Sequence, residues 1–235
     1  MKYVITKIPD VEELVVQSLR EFLLSEVRVQ NIFRNVKSVR VSPVHPFAYL
    51  IDQQVNGAML PTDLFPSVTV IADTDIKPEA FFATVEETSI GNAEIQDMIN
   101  NREMYIISDN DLQAIQQYIS TQELNGVGIS TIRSVTLSIE IWADNVLLKN
   151  RIFDLIESYF SGAKRVELWN NKNILIHEES IQGNRSGNYN FDFGKILFGG
   201  VVTCRADYMI EQIIFDTDIT DAKKILHTYK EIKNG

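Results

Sequence analysis

The sequence predicts an α+β fold, in which a mixed and mainly antiparallel sheet has helices packed on one face and carries an inserted subdomain. Two segments support this fold most strongly. Residues 134–142 alternate apolar and polar side chains, which is typical of a strand with one buried face. After a cap at Asp144 or Asn145, residues 148–159 place apolar side chains at helical spacing, and Gly162 ends the pattern. A strand followed at once by such a helix predicts a helix that covers the sheet.

The composition excludes several classes of protein. The 235 residues are 45% hydrophobic and 23% charged, which is typical of a soluble globular protein. No apolar run approaches the roughly 20 residues that a membrane helix needs, and the N-terminus lacks the features of a signal peptide. We therefore expect a soluble protein that is made in the cytoplasm and does not bind membranes.

The formal net charge is −10, from 22 Lys and Arg against 32 Asp and Glu. A chain with this charge should repel the phosphate backbone, so sequence-specific binding of nucleic acid is not expected. The negative net charge is still compatible with a protein that DNA passes without binding to it specifically.

The first half of the chain begins with a predicted helix over residues 11–27. Asp10 and Glu13 form a variant of the capping box before its apolar stripe. Residues 31–44 then predict a strand.

Prolines surround His45. Pro43 and Pro46 argue against a helix at this point, and residues 51–66 predict a loop. A second strand over residues 68–72 follows and ends at an acidic turn.

Residues 76–130 have a looser pattern and predict an insertion or small subdomain, which separates core segments 1–75 and 131–235. The elements predicted inside it are a helix over residues 93–100, a strand over 103–107, a helix capped by Ser108 and a closing turn at 125–128.

The second half adds a hairpin, a loop and a long strand. Residues 165–177 predict a hairpin around the Asn-rich turn at 170–173. Residues 182–194 are rich in Gly and Asn and predict a loop. Residues 195–215 predict a long strand with a bulge or bend at Gly199 and Gly200, and residues 221–232 predict a terminal helix.

No complete catalytic, nucleotide-binding or metal-binding motif is present, so we expect no catalytic residue, no cofactor and no metal. His45, His177 and His227 are the histidines available for acid–base chemistry. The alternative hypothesis is a small-molecule enzyme whose site combines His177 with Glu179 and Asp207. The single cysteine, Cys204, lies in an alternating run and is expected to be a buried thiol.

The order of these elements resembles that of the tail terminator, or tail-completion (neck), proteins of tailed bacteriophages. The matching segments are the helix at 11–27, FPSVTV from residue 65, SVTLSIEIWADNVLLKNRIFDLIESYF from residue 134, the hairpin VELWNNKNILIHEES and a final long strand pair, which ends in RADYMIEQIIFD.

The resemblance implies a structural virion protein and not an enzyme. Members of this family form rings, usually hexamers, at the head-proximal end of the tail, where they stop growth of the tail tube and dock to the head connector. Tail tube or sheath protein and connector proteins would be the partners, and DNA would pass through the lumen. The alternative within virion proteins is another ring or adaptor component of the tail or baseplate.

A ring subunit needs exposed segments that contact its neighbour, and the loop at 182–194 is the natural arm. The residues expected to contact a neighbouring subunit are Arg185, Tyr189, Phe191, Phe193, Glu140 and Trp142.

Overall fold

The computed structural model describes residues 2–30, 38–57, 59, 64–76, 83–119, 124–190 and 196–216. The predicted terminal helix at 221–232, His227, Phe191 and Phe193 lie outside these ranges. The predicted α+β class is confirmed: helices accompany a mixed, mostly antiparallel sheet.

The elements of the described residues are as follows. The helices are α1 (Val11–Gln30), α2 (Pro46–Asn56), α3 (Asn92–Asn100), α4 (Asp109–Ile119), α5 (Val146–Ser161) and α6 (Ala163–Lys172), with short 3₁₀ turns at Arg102–Met104 and Glu178–Ser180. The strands are β1 (Lys2–Lys7), β2 (Arg40–Ser42), β3 (Ser67–Ile76), β4 (Ala83–Ile90), β5 (Tyr105–Ile106), β6 (Leu124–Ala143), β7 (Ile174–Ile176), β8 (Gln182–Asn190) and β9 (Ile196–Asp216).

The chain divides into two compact units. Unit 1 combines residues 1–10, 78–133 and 209–235, whereas unit 2 combines residues 11–77 and 134–208. Within the block at 76–130, the described residues 83–119 and 124–130 therefore share unit 1 with β1 and the end of β9.

Unit 1 has a core of its own. In it β4 pairs with the first part of β6, and β1 pairs with both β5 and the last part of β9, all antiparallel. Apolar side chains of α3 and α4 pack with those of the strands. The buried members of this core are Tyr3, Ile5, Ile90, Ile95, Met98, Tyr105, Ile107, Leu112, Ile115, Ile119 and Phe215.

Unit 2 is built around β3, which pairs parallel with β2 and antiparallel with β6. Both β7 and β8 pair antiparallel with β9. The alternation predicted for β6 is confirmed, because Val135, Leu137, Ile139 and Ile141 are all buried. Burial of apolar side chains such as these is the dominant favourable term in protein folding.

Helices α1 and α5 contact each other through Tyr159. Its hydroxyl lies 2.6 Å from Oγ of Ser18, and its ring centroid lies 5.0 Å from that of Phe22. The predicted cap of α5 is confirmed at Asn145, whose side chain accepts hydrogen bonds from the amides of Leu147 and Leu148.

Four predicted elements are confirmed in type. Helix α1 follows the stripe predicted over 11–27 and continues to Gln30. Helix α3 occupies the segment predicted at 93–100, and α4 begins after Ser108, whose Oγ accepts from the amide of Asp111 at 3.1 Å. The strand predicted at 103–107 is shorter, because a 3₁₀ turn occupies Arg102–Met104.

The prediction that the prolines exclude a helix near His45 is wrong. Helix α2 begins at Pro46 and includes residues 51–56 of the loop predicted over 51–66. The described residues after it in that segment, 57, 59 and 64–66, are not helical. Proline is favoured at the first helical position, where its missing N–H has no partner to lose. Gly57 then ends the helix with φ of 68°, a left-handed conformation that glycine adopts without strain.

The predicted hairpin at 165–177 is also wrong. Its first half belongs to α6, in which Leu168 is buried and Lys164 pairs with Glu167 at 2.6 Å. Asn173 adopts φ of 55° and caps the C-terminus of this helix. The Asn-rich segment is therefore the end of a helix and not a hairpin turn. Asparagine is favoured in both structures because it tolerates the left-handed conformation that each of them requires.

The prediction of a loop over 182–194 is wrong for residues 182–190, because these residues form β8. Gly183 permits this arrangement, because a Cβ there would lie 2.5 Å from the Phe153 ring of α5. The irregularity predicted at Gly199 and Gly200 is present as a register shift in the facing strand, between Asn184 and Gly187.

Three strand boundaries also differ from the prediction. The acidic turn expected after residue 72 is absent, and β3 continues to Ile76 with a register shift between Ala72 and Thr74. Residues 125–128, expected to be a turn, lie inside β6 and pair with β4, a strand that was not predicted. Of the strand predicted over 31–44, the described residues include only Arg40–Ser42 as strand.

Candidate binding site

Two of the side chains expected at a subunit contact, Glu140 and Trp142, lie two residues apart on β6 and so share one face of the sheet. Trp142 is only 7% exposed. Its ring packs against Phe47 of α2, with 4.8 Å between centroids, and its Nε1 donates to Oε2 of Glu140 at 3.3 Å. Helix α2, which the sequence did not predict, therefore covers this face.

His45 joins α2 to the same face. Its Nδ1 accepts a hydrogen bond from the amide of Phe47 at 3.2 Å, which caps the helix. An Nδ1 that accepts carries no proton, so the neutral ring has its proton on Nε2. Nε2 then donates to Oε2 of Glu140 at 2.8 Å.

These residues line a cavity of about 370 Å³ in unit 2, which we call the Trp142 cavity. Its walls come from the start of α2 and from β6, β8 and β9. The lining residues are His45, Phe47, Glu140, Trp142, Asn184, Ser186, Gly187, Gly199, Gly200 and Val201.

Glycine on β9 lets the strand approach the tryptophan closely. A Cβ on Gly199 would lie 2.6 Å from the Trp142 ring, which is too close for any side chain. A Cβ on Gly200 would instead lie 3.1 Å from the Phe153 ring of α5. Since neighbouring strand residues point to opposite faces, Trp142 and α5 lie on opposite faces of the sheet. Helices α2 and α5 therefore cover opposite faces in unit 2, and the expectation that the helices pack on one face is wrong there.

Arg185, expected to contact a neighbouring subunit, is engaged within its own chain. Its guanidinium pairs with Asp154 at 2.8 Å and Glu157 at 3.0 Å and lies 4.5 Å from the Phe153 ring centroid. Its carbonyl accepts from Nζ of the buried Lys149 at 2.5 Å. Burial, and then the charge of Arg185, lower the pKa of Lys149.

The other expected contact residues are less informative. Tyr189 lies in β8, in register with Leu197 of β9. Phe191 and Phe193 fall outside the described residues.

The three residues of the enzyme hypothesis, His177, Glu179 and Asp207, lie in contact with one another through the histidine ring. His177 Nε2 lies 2.8 Å from Oδ2 of Asp207, and its Nδ1 lies 3.2 Å from Oε1 of Glu179. Ser134, which is fully buried, donates to Oδ1 of Asp207 at 2.5 Å. Arg205 donates to Oγ of Ser134 at 3.0 Å.

The order of this network differs from that of a hydrolase. In a nucleophilic triad the histidine lies between serine and carboxylate, so that it can take the serine proton. Here Asp207 lies between Ser134 and His177, and the hydroxyl is directed at the carboxylate. The network therefore suits the joining of β6, β7 and β9 better than it suits activation of a nucleophile.

Two carboxylates of the network have shifted pKa values. Burial raises the pKa of Asp207, but hydrogen bonds from Ser134 and His177, with the nearby positive charges, bring it below the usual range. The backbone amide of Glu179, and then His177, lower the pKa of Glu179.

A metal site and the thiol of Cys204 are the remaining candidates. Within the described part of the chain, no group of three or more His, Cys, Asp and Glu is placed to hold a metal. Cys204 is buried as predicted, and burial raises the pKa of its thiol to about 12, which suppresses the reactive thiolate.

Sequence reasoning identified Glu140 and Trp142 but missed the cavity that they line. The missing information was α2, since Pro43 and Pro46 argued against a helix next to His45. The signal that could have revealed it is a side chain able to cap a helix, directly followed by Pro at the first helical position.

None of the described helices combines the length and the apolar character needed to cross a bilayer. A comparison with protein-family models finds no match, and a comparison with curated proteins finds none either.

Proposed function

We propose that this protein is a structural virion component, which forms a ring at the head-proximal end of a phage tail, ends growth of the tail tube and docks to the head connector. Its partners would be further copies of itself, six in the usual ring, together with tail tube or sheath protein and connector proteins. DNA would pass through the lumen without specific contacts, and no catalysis would be involved.

The observation that carries the proposal is the outer surface of α2. Ile51 is 59% exposed and Val55 is 73% exposed, and their spacing of four residues places them side by side on one helix face. Large exposed apolar patches mark surfaces that a partner covers, and we propose this pair as part of the surface that a neighbouring subunit covers.

The element order supplies the second support. The helix α1, the strand β3 after Pro66, the β6–α5 module and the long β9 occur in the order expected for the tail terminator family. One segment that contributed to the resemblance, the hairpin, forms α6 and β7 instead and no longer supports it. Residues 182–190 of the loop that was expected to be the arm form β8.

The charge is compatible with a DNA conduit. A net charge of −10 disfavours phosphate contacts, so a genome would slide past a lumen made of this chain.

Light scattering tests whether α2 forms a subunit contact. We expect the purified chain to form a closed oligomer, either alone or when tail tubes are added. The double variant Ile51→Ser with Val55→Ser should fail to form this oligomer. Val166→Ser, on the exposed surface of α6, is the matched control and should leave assembly unchanged. Equal loss of assembly in both variants would argue against a specific α2 contact.

The alternative position in the tail is a ring or adaptor at the baseplate. Gold labelling of an epitope-tagged chain on intact tails distinguishes the two positions. Label at the head-proximal end supports the proposal, and label at the baseplate end supports the alternative.

A further inference from the structure

We infer that the Trp142 cavity binds an organic cation, namely a guanidinium or primary ammonium group on a short aliphatic stem. The cavity lies within one chain, so this binding is expected whether or not the protein forms a ring.

The charge of the lining selects a cation. Glu140 is the one carboxylate among the lining residues, all of which are described, and none of them is Lys or Arg. His45 is neutral, because its Nδ1 accepts from the amide of Phe47. The lining therefore carries a net negative charge, which an anion would have to overcome.

Glu140 is accessible and has an oxygen available. Its side chain is 28% exposed. Among the described residues, both the His45 ring and the Trp142 indole contact Oε2. Oε1 can therefore accept a charge-assisted hydrogen bond from a ligand, which is stronger than a bond between neutral groups. The two donors to Oε2 also fix the carboxylate in position, so a ligand need not order it.

The aromatic lining suits the same ligand. Phe47 and Trp142 both line the cavity, and aromatic rings attract cations through their electron-rich faces, with tryptophan the strongest. Their apolar surface also accepts the methylene stem that carries such a charge. Neutral polar groups are supplied by Asn184 and Ser186 of β8.

The size of the cavity limits the ligand. At about 370 Å³ it lies near the lower end of small-molecule pockets, which span about 300–1,000 Å³. It therefore admits a single basic side chain or a small basic metabolite.

Tryptophan fluorescence provides a direct test. The chain has two tryptophans, and Trp169 lies on α6 outside the lining. A Trp169→Phe background therefore leaves Trp142 as the reporter. We expect saturable quenching by Nα-acetyl-arginine amide (arginine amide below). Its affinity should be at least about tenfold higher than that of Nα-acetyl-citrulline amide (citrulline amide below), which has the same length but an uncharged ureido group in place of the guanidinium.

A matched pair of variants locates the binding. In that background, Glu140→Gln should lower the affinity for arginine amide about tenfold, because it removes the charge from the lining. Glu179→Gln makes the same change at another carboxylate that contacts a histidine ring, outside the cavity, and should leave the affinity unchanged.

The ligand comparison decides the matter even if Glu140→Gln does not fold. Absence of saturable binding by arginine amide, or equal affinity for citrulline amide, overturns the inference. Unchanged affinity in a folded Glu140→Gln variant overturns it as well. A blocked Gly-Arg-Gly peptide identifies the source of the cation: tighter binding of the peptide indicates a protein side chain, and tighter binding of arginine amide indicates a free small molecule.

Discussion

The imidazole of His45 ties the start of α2 to β6, since Nδ1 caps the helix while Nε2 donates to Oε2 of Glu140 at 2.8 Å. One ring thus positions both the helix that bears the exposed apolar pair and the carboxylate of the Trp142 cavity. Both the proposed subunit contact and the proposed cation site depend on this contact.

Replacement of His45 should separate its two roles. His45→Ala loses the cap and the contact with Glu140, so we expect the free energy of unfolding to fall by about 1–2 kcal/mol. His45→Asn can still cap α2 and should recover part of this loss. Denaturant unfolding of the three proteins measures the difference, and equal stability of His45→Ala and the wild type would show that the contact does not stabilise the fold.

Gly199 should not tolerate a side chain. Gly199→Ala places a methyl group against the Trp142 ring, and we expect a loss of about 1–3 kcal/mol. Combination with Trp142→Leu should cost less than the sum of the single changes, because the clash is removed. Gly91→Ala, whose methyl group would meet only ordinary contact with Glu94, is the control. Strict additivity in thermal or denaturant unfolding would contradict the close approach.

The network around Asp207 should make stability depend on pH. Its pKa is lower in the folded chain than in the unfolded chain, where it is about 3.9. Its contribution is therefore complete above the unfolded pKa and is lost as the pH falls through the folded pKa. We expect Asp207→Asn to reduce the loss of unfolding free energy between pH 6 and pH 3.

The exposed Asp144 provides the comparison for this titration. Asp144→Asn should leave the pH profile close to that of the wild type. An Asp207→Asn profile parallel to the wild type throughout this range would contradict the assigned pKa shift.

Cys204 should be inert in the folded chain. It is buried and its thiol pKa is raised to about 12, so a thiol reagent at neutral pH should react only when the strand opens. We expect slow labelling that accelerates with denaturant, followed by absorbance. Rapid stoichiometric labelling of the native protein would show that the thiol is exposed.

The parts of the fold that were predictable from sequence are those with long regular patterns. The stripe of α1, the alternation of β6 and the capped helix α5 each repeat a signal over many residues. The errors fall where one residue type serves two structures. Asn173 suits both a hairpin turn and a helix C-cap, and Pro46 suits both a break and the first turn of a helix.

The candidate site was predictable only in part for the same reason. Glu140 and Trp142 could be placed on one strand face, but their neighbours come from α2, β8 and β9, which lie far apart in the sequence. Gly183 made β8 resemble a loop, although it is required there by the approach of the Phe153 ring. Such tertiary contacts leave no local pattern.

Addition of the purified chain to growing tail tubes tests the proposed function most directly. Electron microscopy of the tubes gives both their length and the presence of a ring at one end. The proposal predicts a ring on one end and an arrest of elongation that the Ile51→Ser and Val55→Ser variant fails to produce. A chain that remains monomeric, does not bind the tubes and leaves their length unchanged would contradict it.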